Sequence, residues 1–295
     1  MRLLTRSLAV GAALALTLTA CSSSSSDDEP ITVGGFNFPE SSILLEIYAQ
    51  ALEADGFTIE REPDLGSREI IFPELTEGSI DIMPEYVGGA ISSGFGETPA
   101  TNLEEAVSQL TALFQDENVA VLDASPAEDA DVFVVTSEFA DENGSSLADL
   151  ANAGDVVVAG PPECEERDTC FAGLQEVYGL DNITFTTIAE KAPRLAALEN
   201  GDAQVITLFS TDPVFSDGSL VALDDPEEFT PPQNVIPVVN FDVVDGNTEI
   251  AQTLNAISAA MTTEGLAAMN GQAAEGQQPA DIAAEWLADN DVSSS

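Results

Sequence analysis

The sequence predicts an α/β protein with two lobes. From residue 31 onward, short apolar segments of strand type alternate with amphipathic segments of helix type, and the order β-α-β-α-β is typical of a largely parallel sheet covered by helices. A second set of the same kind begins near Ser137, and 295 residues with 44% hydrophobic residues are enough to bury two cores. We therefore expect lobe I to comprise residues 31–131 and 235–295, and lobe II to comprise residues 132–234.

The elements of lobe I are predicted from apolar periodicity and from capping residues. Asn37 or Ser41 can begin the first helix, and Gly56 can end it. Ser67 is a good N-cap for the next helix, which Gly78 ends in the favoured C′ position. The predicted strands of this lobe lie at 31–35, 57–61, 79–83 and 119–122, and a third helix lies at 103–114.

Lobe II shows the same alternation, and the carboxyl-terminal region is predicted to carry two helices. The predicted strands lie at 132–136, 156–159, 184–186, 204–209, 220–223 and 235–239, and the predicted helices lie at 147–150, 171–178, 193–198, 247–261 and 280–288. The methionines of the last helices and the single tryptophan, Trp286, are expected to belong to the core rather than to a ligand site.

The stretch from Pro63 to Gly89 is the first candidate for a functional site. Its predicted strand–helix–strand unit leaves Tyr86 after the second strand, in a loop opened by Gly88 and Gly89. The carboxyl ends of strands are where α/β proteins hold ligands. The alternative is an ordinary βαβ unit whose tyrosine packs on a neighbouring element.

The amino terminus has the features of a targeting segment. Arg2 and Arg6 precede an apolar run from Leu8 to Leu18, which is too short for a comfortable transmembrane helix. The run ends at small residues and Cys21, which resembles a bacterial lipoprotein signal; a plain secretory signal with a chance cysteine is the alternative. We expect residues 1–20 to be removed, Cys21 to be lipidated and residues 21–30, rich in serine and acids, to form a flexible tether. The protein is then expected outside the cytoplasm, anchored to the outer face of the cell membrane.

Charge and histidine content exclude several classes of function. The chain has 53 acidic and 7 basic residues, a formal net charge of −46, so no basic face for nucleic acid can be built. Such a surface suits high external salt, where screening weakens self-repulsion. The absence of histidine from the sequence excludes Ser-His-Asp and Cys-His catalysis and histidine-based zinc sites. No metal and no cofactor are expected.

Two cysteines follow Cys21 in the sequence. Cys164 and Cys170 are separated by five residues, and in an oxidising compartment they are expected to form a disulfide. Two free thiols with a redox role are the alternative, although the C-x-x-C spacing is missing.

With these elements placed, the chain resembles the extracytoplasmic substrate-binding proteins of ABC importers for glycine betaine, choline and related osmoprotectants. The segments that carry the resemblance, in the order of the family, are Ile31–Ala51, Leu65–Gly88, Ala127–Thr136, Gly160–Leu180 and Leu208–Pro237. The resemblance implies the type II periplasmic-binding-protein fold, in which two lobes close over a ligand in the cleft between them. It also implies a small osmolyte as ligand, an ABC permease and an ATPase as partners, and binding without catalysis.

The resemblance implies an aromatic cage around a quaternary ammonium group. Such a cation has no N–H donor, so a protein surrounds it with aromatic faces instead of hydrogen-bonding it. Tyr86 matches a cage tyrosine of the family, and Phe133 and Phe209 fall where further aromatic residues are expected. For Phe133 and Phe209 the alternative is a core position on a strand, and for Tyr86 it is packing against a neighbour.

A betaine also carries a carboxylate, which requires a cation or a cluster of donors. Arg167 falls where the family places an arginine that contacts the ligand; a surface ion pair with an adjacent acid is the alternative. Arg68 is expected to pair with Glu69 or Glu85 instead of the ligand. The further candidates for polar ligand contacts are Asn37, Ser41, Thr211 and Gln233.

The chain departs from the family at positions that bear on the ligand. Gln233 stands where tyrosine is often found, Gly89 stands where threonine is often found, and two cage positions are phenylalanine. A receptor for another small polar or zwitterionic solute is therefore an alternative. An exported hydrolase with paired carboxylates and an adhesive or sensory ectodomain are further alternatives.

Overall fold

The computed structural model describes residues 30–66, 68–290 and 292. The expected signal peptide, the lipid-attachment residue Cys21, the tether up to Glu29 and the N-cap Ser67 lie outside the described residues. None of the described helices is long and apolar enough to cross a membrane.

Strands and helices alternate along the described residues as the sequence predicts. The strands are β1 (Ile31–Gly34), β2 (Ile59–Glu62), β3 (Ile82–Tyr86), β4 (Val119–Val121), β5 (Asp131–Thr136), β6 (Val156–Gly160), β7 (Ile183–Thr187), β8 (Val205–Phe209), β9 (Leu220–Ala222) and β10 (Val235–Asn240). The helices are α1 (Pro39–Ala54), α2 (Arg68–Thr76), α3 (Val87–Gly89), α4 (Leu103–Phe114), α5 (Ser137–Asn143), α6 (Phe171–Tyr178), α7 (Lys191–Glu199), α8 (Phe241–Gly246), α9 (Thr248–Ala260), α10 (Thr263–Ala274) and α11 (Pro279–Asp289). A π-helical turn at Ala90–Gly94 extends α3, and 3-10 helices lie at Leu147–Asn152, Pro162–Glu165 and Pro213–Asp217.

The strands form two five-stranded sheets with the same internal order. The first sheet, in lobe I, has the order β2-β1-β3-β10-β4, and the second, in lobe II, has the order β7-β6-β8-β5-β9. In each sheet one strand, β10 or β5, runs antiparallel to both of its neighbours. These are the strands that follow the two passages of the chain between the sheets, so each lobe receives one strand that arrives from the other lobe.

The two crossing segments lie side by side and pair with each other. Glu128 and Asn234 form an antiparallel bridge, the Asp129 N–H donates to the Gln233 carbonyl at 3.1 Å, and the Val235 N–H donates to the Ala127 carbonyl at 2.9 Å. A paired double crossing of this kind is a natural hinge, because a few residues can absorb the rotation of one lobe against the other. It also brings Asp129 and Gln233 to the junction of the lobes.

Each lobe has its own hydrophobic core. The lobe I core joins the first sheet to α1, α4 and the carboxyl-terminal helices, and it includes the buried Met261 and Met269 with Trp286 packed against it. This confirms the expectation that methionine and tryptophan in these helices serve the core. In lobe II, one core cluster lies on each face of the second sheet.

The structure corrects the predicted course of the chain before Tyr86. The strand after Gly78 spans Ile82–Tyr86 instead of 79–83, so Pro84 and Tyr86 belong to the strand and not to a loop. Pro84 is tolerated there opposite Pro237 of β10, where neither proline can donate a ladder hydrogen bond.

The structure also corrects the helix starts and the carboxyl-terminal region. Helix α1 begins at Pro39 with Phe38 as its N-cap, so neither Asn37 nor Ser41 is the cap. Proline is favoured at the first helical position because its missing N–H would have no partner there. After β10 the described residues, up to 290 and 292, form four helices and not two. The 12-residue α10 was missed because small residues and two glycines leave only a weak apolar stripe.

Candidate ligand-binding cleft

Two adjoining cavities lie between the lobes. One has a volume of about 440 Å³ and the other about 250 Å³, and Phe38, Asp129 and Phe209 line both of them. Phe38 comes from lobe I, Phe209 ends β8 in lobe II, and Asp129 lies in the first crossing segment. The two cavities are therefore parts of one cleft that runs across the hinge.

Three aromatic side chains form walls of the cleft. Tyr86 ends β3, and its ring centroid lies 6.1 Å from that of Phe38, which stacks on Phe36 with centroids 5.7 Å apart. Phe209 faces them from lobe II, and all three rings line the smaller cavity. Phe38 is 36% exposed and Phe209 is 52% exposed, unusual values for large aromatic residues, so both leave ring faces available to a ligand.

Tyr86 is held in place by a carboxylate that the sequence analysis missed. The Tyr86 hydroxyl donates to Glu40 Oε1 at 2.6 Å, and Asn270 Nδ2 donates to Glu40 Oε2 at 2.6 Å. Glu40 lies in the first turn of α1 and is buried. Burial, reinforced by Glu40, raises the pKa of Tyr86 well above its ordinary value, so the phenol stays protonated and continues to donate.

A hydrogen-bonded chain continues from Glu40 to the other lobe. Asn270 Nδ2 also donates to the Thr211 carbonyl at 3.1 Å, and Thr211 Oγ1 donates to Asp129 Oδ1 at 2.7 Å. Asn270 belongs to α10 of lobe I, whereas Thr211 follows β8 of lobe II. The predicted site residue Thr211 is thus placed at the cleft, and Asn270 connects the lobes there.

Asp129 is a carboxylate with a strongly altered acidity. Burial raises the pKa of Asp129 to about 7; the nearby Glu40 adds to this rise, and the hydrogen bond from Thr211 opposes it. Its charge therefore changes in the neutral range, unlike that of an exposed aspartate.

Asp129→Asn is expected to stabilise the ligand-free protein above neutral pH. The pKa of this group is about 7 in the folded chain and about 4 in the unfolded chain. Between these values the folded state holds a proton that the unfolded state has lost, so the wild-type protein loses stability as pH rises through this window. Asparagine does not titrate, so the substitution avoids that loss. It should raise the free energy of unfolding at pH 8 by on the order of 1 kcal/mol or more.

Urea unfolding at pH 5 and pH 8, at constant ionic strength, measures this effect. The gain of Asp129→Asn over wild type should be larger at pH 8 than at pH 5, while the exposed Asp155→Asn should show no such change. An equal difference at both pH values would contradict the raised pKa of Asp129.

An ion pair in the wall of the smaller cavity confirms the expected pairing of Arg68 with Glu85. Arg68 Nε and Nη2 donate to the two carboxylate oxygens of Glu85 at 2.6 and 2.9 Å, and the guanidinium lies 4.7 Å from the ring centroid of Phe36. Burial raises the pKa of Glu85 and Arg68 opposes that rise. A Cβ atom on Gly89 would lie 2.6 Å from Arg68 Nη2, so a larger residue here would displace the guanidinium from its position beside Glu85.

Gln233 is placed at the cleft by the second crossing segment. Its Oε1 accepts from the Gly89 N–H at 3.0 Å, and it lines the smaller cavity. A Cβ atom on Gly88 would lie 2.6 Å from Gln233 Nε2 and 2.8 Å from the Pro232 carbonyl oxygen, so glycine at position 88 is what lets this segment approach so closely.

Phe133 is not at the cleft, which corrects its predicted cage role. It is buried in the lobe II core, with its ring stacked on Phe229 at 6.1 Å between centroids. Strand β5 lies between β8 and β9 in its sheet, and Phe133 and Val135 face one core cluster while Val134 faces the other. Both faces of this strand are therefore covered, and the alternative of a core position is the one observed.

Arg167, Asn37 and Ser41 line neither cavity. Arg167 is exposed in the turn between the two cysteines, and its nearest link to the cleft is electrostatic, through Asp131. Asn37 is exposed, and Ser41 is buried with its Oγ accepting from the Phe36 N–H at 2.8 Å. The predicted polar contacts of these three residues with a ligand are thus not supported by their positions.

The two cysteines are bonded in the structure. Cys164 and Cys170 have Cα atoms 5.2 Å apart, and the loop between them reaches the smaller cavity through Thr169. The bond therefore closes a short loop at the edge of the cleft.

Two matching α/β sheets, a paired hinge and an aromatic cleft between them define a solute-binding protein of the type II periplasmic class. The family model OpuAC, described as the substrate-binding domain of an ABC-type glycine betaine transport system, matches residues 29–289, and the chain belongs to this family. It is an extracytoplasmic solute-binding component of an ABC transport system and not an enzyme, which sets the hydrolase alternative aside.

Relatives and solved structures agree with this assignment. The chain is 26% identical to the glycine betaine-binding protein YehZ of Escherichia coli K12, over 95% of each chain, and 24% identical to the carnitine transport binding protein OpuCC of Listeria monocytogenes, over 90% of this chain and 88% of that one. The solved structure of apo YehZ superposes with a TM-score of 0.79, at 24% identity over 90% of this chain and 100% of that one. A crystal structure described as a glycine betaine/carnitine/choline ABC transporter also superposes with a TM-score of 0.79, at 22% identity over 88% of this chain and 98% of that one. These superpositions confirm the predicted fold.

Proposed function

We propose that the cleft binds a small quaternary ammonium osmolyte and that the two lobes close over it before it is handed to a permease. The observation that carries this proposal is the arrangement of Phe38, Tyr86 and Phe209 around one cavity beside the carboxylate of Asp129. Aromatic faces attract a cation that cannot be hydrogen-bonded, by roughly 0.5–2 kcal/mol per ring and more when water is excluded. The names of the relatives, which include glycine betaine, carnitine and choline, support the same ligand class.

A thermal-unfolding panel tests this function. A ligand at 100 times its Kd should stabilise the protein by about 2.7 kcal/mol, because only the folded state binds it. We expect choline, glycine betaine or carnitine to raise the Tm, and we expect proline and ectoine to have less effect because they lack a quaternary ammonium. A panel in which no quaternary ammonium compound raises the Tm would contradict the proposal.

For the carboxylate of a zwitterionic ligand, Lys191 is better placed than the predicted Arg167. It lines the larger cavity, which Arg167 does not, and it is paired there with the buried Asp212. Lys191→Ala removes this charge and leaves the Asp212 carboxylate unpaired beside the cavity, so it is expected to lower the affinity for glycine betaine by about tenfold. Arg167→Ala should lower it by less than about twofold at an exposed position.

Calorimetric titration with glycine betaine measures both variants, and choline serves as the internal control because it lacks a carboxylate. A larger loss for Arg167→Ala than for Lys191→Ala would restore Arg167 to the role that the sequence predicted.

Membrane attachment through Cys21 is part of the proposed function. An acyl chain on Cys21, followed by the serine-rich tether, keeps the binding protein close to its permease while leaving the lobes free to move. Metabolic labelling with a fatty acid should mark the wild-type protein and should not mark Cys21→Ser.

A further inference from the structure

Asp129 occupies the centre of the cleft. It lines both cavities, together with the rings of Phe38 and Phe209, and its backbone N–H is bonded to the carbonyl of Gln233 at 3.1 Å. The carboxylate is therefore fixed at the hinge, where both lobes meet. A cation held between the two rings would lie beside it.

The cations that line the cleft already have carboxylate partners. Arg68 is bonded through two nitrogens to Glu85, and Lys191 is paired with Asp212. Both partners are buried, with side chains at most 6% exposed. The positive charge of these residues is therefore largely balanced within the protein.

Glu40 and Asp129 have no such partner. A third carboxylate, Asp131 of the smaller cavity, also lacks an ion pair among the described residues, but the charges of Arg167 and Arg194 favour its ionised form. Glu40 accepts from Tyr86 and Asn270, and Asp129 accepts from Thr211, all of which are neutral donors. Within the described residues neither Glu40 nor Asp129 forms an ion pair. The two negative charges are close enough for Glu40 to make ionisation of Asp129 less favourable. A bound cation relieves this repulsion, whereas an added carboxylate increases it.

We propose that Asp129 is the counter-ion of the bound ligand, and that it makes the cleft select a quaternary ammonium cation of the choline type over a zwitterion of the betaine type. This inference rests on the proposed function and specifies its ligand. Attraction between Asp129 and the ammonium group is common to both ligands. Only the betaine brings a carboxylate into a site with two uncompensated carboxylates, and the low polarity of a closed cleft strengthens that repulsion.

The selectivity should depend on pH because the pKa of Asp129, raised by burial and by Glu40, is about 7. Asp129 is ionised in about a tenth of the molecules at pH 6 and about nine tenths at pH 8, so choline affinity should rise roughly five- to ninefold between them. The charged and titratable groups that surround Asp129 are Glu40 on α1, Arg68 on α2, Tyr86 on β3, Asp131 on β5, Lys191 on α7 and Asp212 after β8. Tyr86 stays neutral in this range, because burial and Glu40 raise its pKa well above the ordinary value.

Calorimetric titration of choline and of glycine betaine tests the inference. Wild type, Asp129→Asn and Asp155→Asn are compared at pH 6 and pH 8 at constant ionic strength. Asp155 is exposed, so its variant removes the same charge outside the cleft. We expect wild type to bind choline at least about tenfold more tightly than betaine at pH 8, a difference of about 1.4 kcal/mol. Asp129→Asn should lose most of this preference and its dependence on pH, and Asp155→Asn should behave like wild type.

The outcomes separate this inference from the function on which it rests. Tighter binding of betaine than of choline by wild type at pH 8 overturns the inference and leaves the quaternary ammonium function standing. An equal loss of affinity for choline and for betaine in Asp129→Asn also overturns the inference and leaves the quaternary ammonium function standing. If wild type binds neither ligand at either pH, the proposed function fails and the inference fails with it. Thermal unfolding of ligand-free Asp129→Asn is the control for misfolding. The variant should be at least as stable as wild type, so a change in its affinity reports on binding and not on folding.

Discussion

Arg68→Ala is expected to lower the free energy of unfolding by about 3–5 kcal/mol, the range for removal of one partner from a buried ion pair. Glu85 has a side chain with 0% exposure, and Arg68 is its cationic partner at 2.6 Å. Without the guanidinium, the Glu85 carboxylate must either remain charged in an apolar wall or take up a proton. The variant also loses the contact of the guanidinium with the Phe36 ring. Urea unfolding of the ligand-free protein measures the effect.

Arg61→Ala is the matched control for this prediction. Arg61 bonds Glu46 at 3.0 Å and Glu53 at 2.7 Å, but these carboxylates are 17% and 41% exposed and water can replace the lost partner. The cost should be at most about 1 kcal/mol. In addition, Glu85→Gln introduced into the Arg68→Ala variant should recover part of the lost stability, because the double variant has no unpaired carboxylate at position 85. Similar losses of unfolding free energy for Arg61→Ala and Arg68→Ala would contradict the idea that burial of the carboxylate makes the loss of its partner costly.

Local signals in the sequence predicted the elements that have clear ends. Helix α4 spans the predicted residues, with Asn102 accepting from the Glu105 N–H as N-cap, and helix α6 ends as predicted before Gly179, which has a φ of 63°. The same signals failed for α10, whose alanine and glycine content gives little amphipathic pattern. Its existence depends on packing against the rest of lobe I, which no local window of sequence reports.

The candidate site was predictable only where an unusual residue type marks it. Tyr86 is one of only three tyrosines and lies at the carboxyl end of a strand–helix–strand unit, so it could be identified, whereas Glu40 is one of 53 acids and could not. Asn270 lies on the helix that was missed, and Phe38 precedes a helix whose start was misplaced. Phe133 and Phe209 had similar sequence environments, but Phe133 lies inside β5 with its ring in a core cluster, whereas Phe209 is the last residue of β8, at the cleft.

Repulsion between the acidic groups of the cleft destabilises the folded, ligand-free protein, but the same groups favour the binding of a cation. Asp129 and Glu40 repel each other in the ligand-free protein, and the hydrogen bonds from Thr211, Tyr86 and Asn270 offset part of that repulsion. The same bonds connect lobe I, the hinge and lobe II. A cation that enters the cleft relieves the repulsion and, through this chain, also favours the closed arrangement of the lobes.

Tyr86→Ala is expected to weaken the binding of any quaternary ammonium ligand by tenfold to about a hundredfold. The substitution removes one wall of the cleft, and a desolvated aromatic ring contributes about 2 kcal/mol or more to a bound cation, which corresponds to roughly thirtyfold. Tyr86→Phe keeps the ring but leaves Glu40 without the hydroxyl donor at 2.6 Å. It should therefore lose stability by about 1.5–3 kcal/mol while losing less affinity than the alanine variant.

Phe133→Leu is the matched control, because Phe133 is an aromatic residue of the lobe II core that lines neither cavity. It should lower the Tm without changing the Kd for choline, measured by calorimetric titration at a temperature where every variant is folded. Phe209→Ala should behave like Tyr86→Ala in affinity but should barely change the Tm, since the Phe209 ring is half exposed. Equal affinities of Tyr86→Ala and Phe133→Leu would show that the ring of Tyr86 is not part of the cation site.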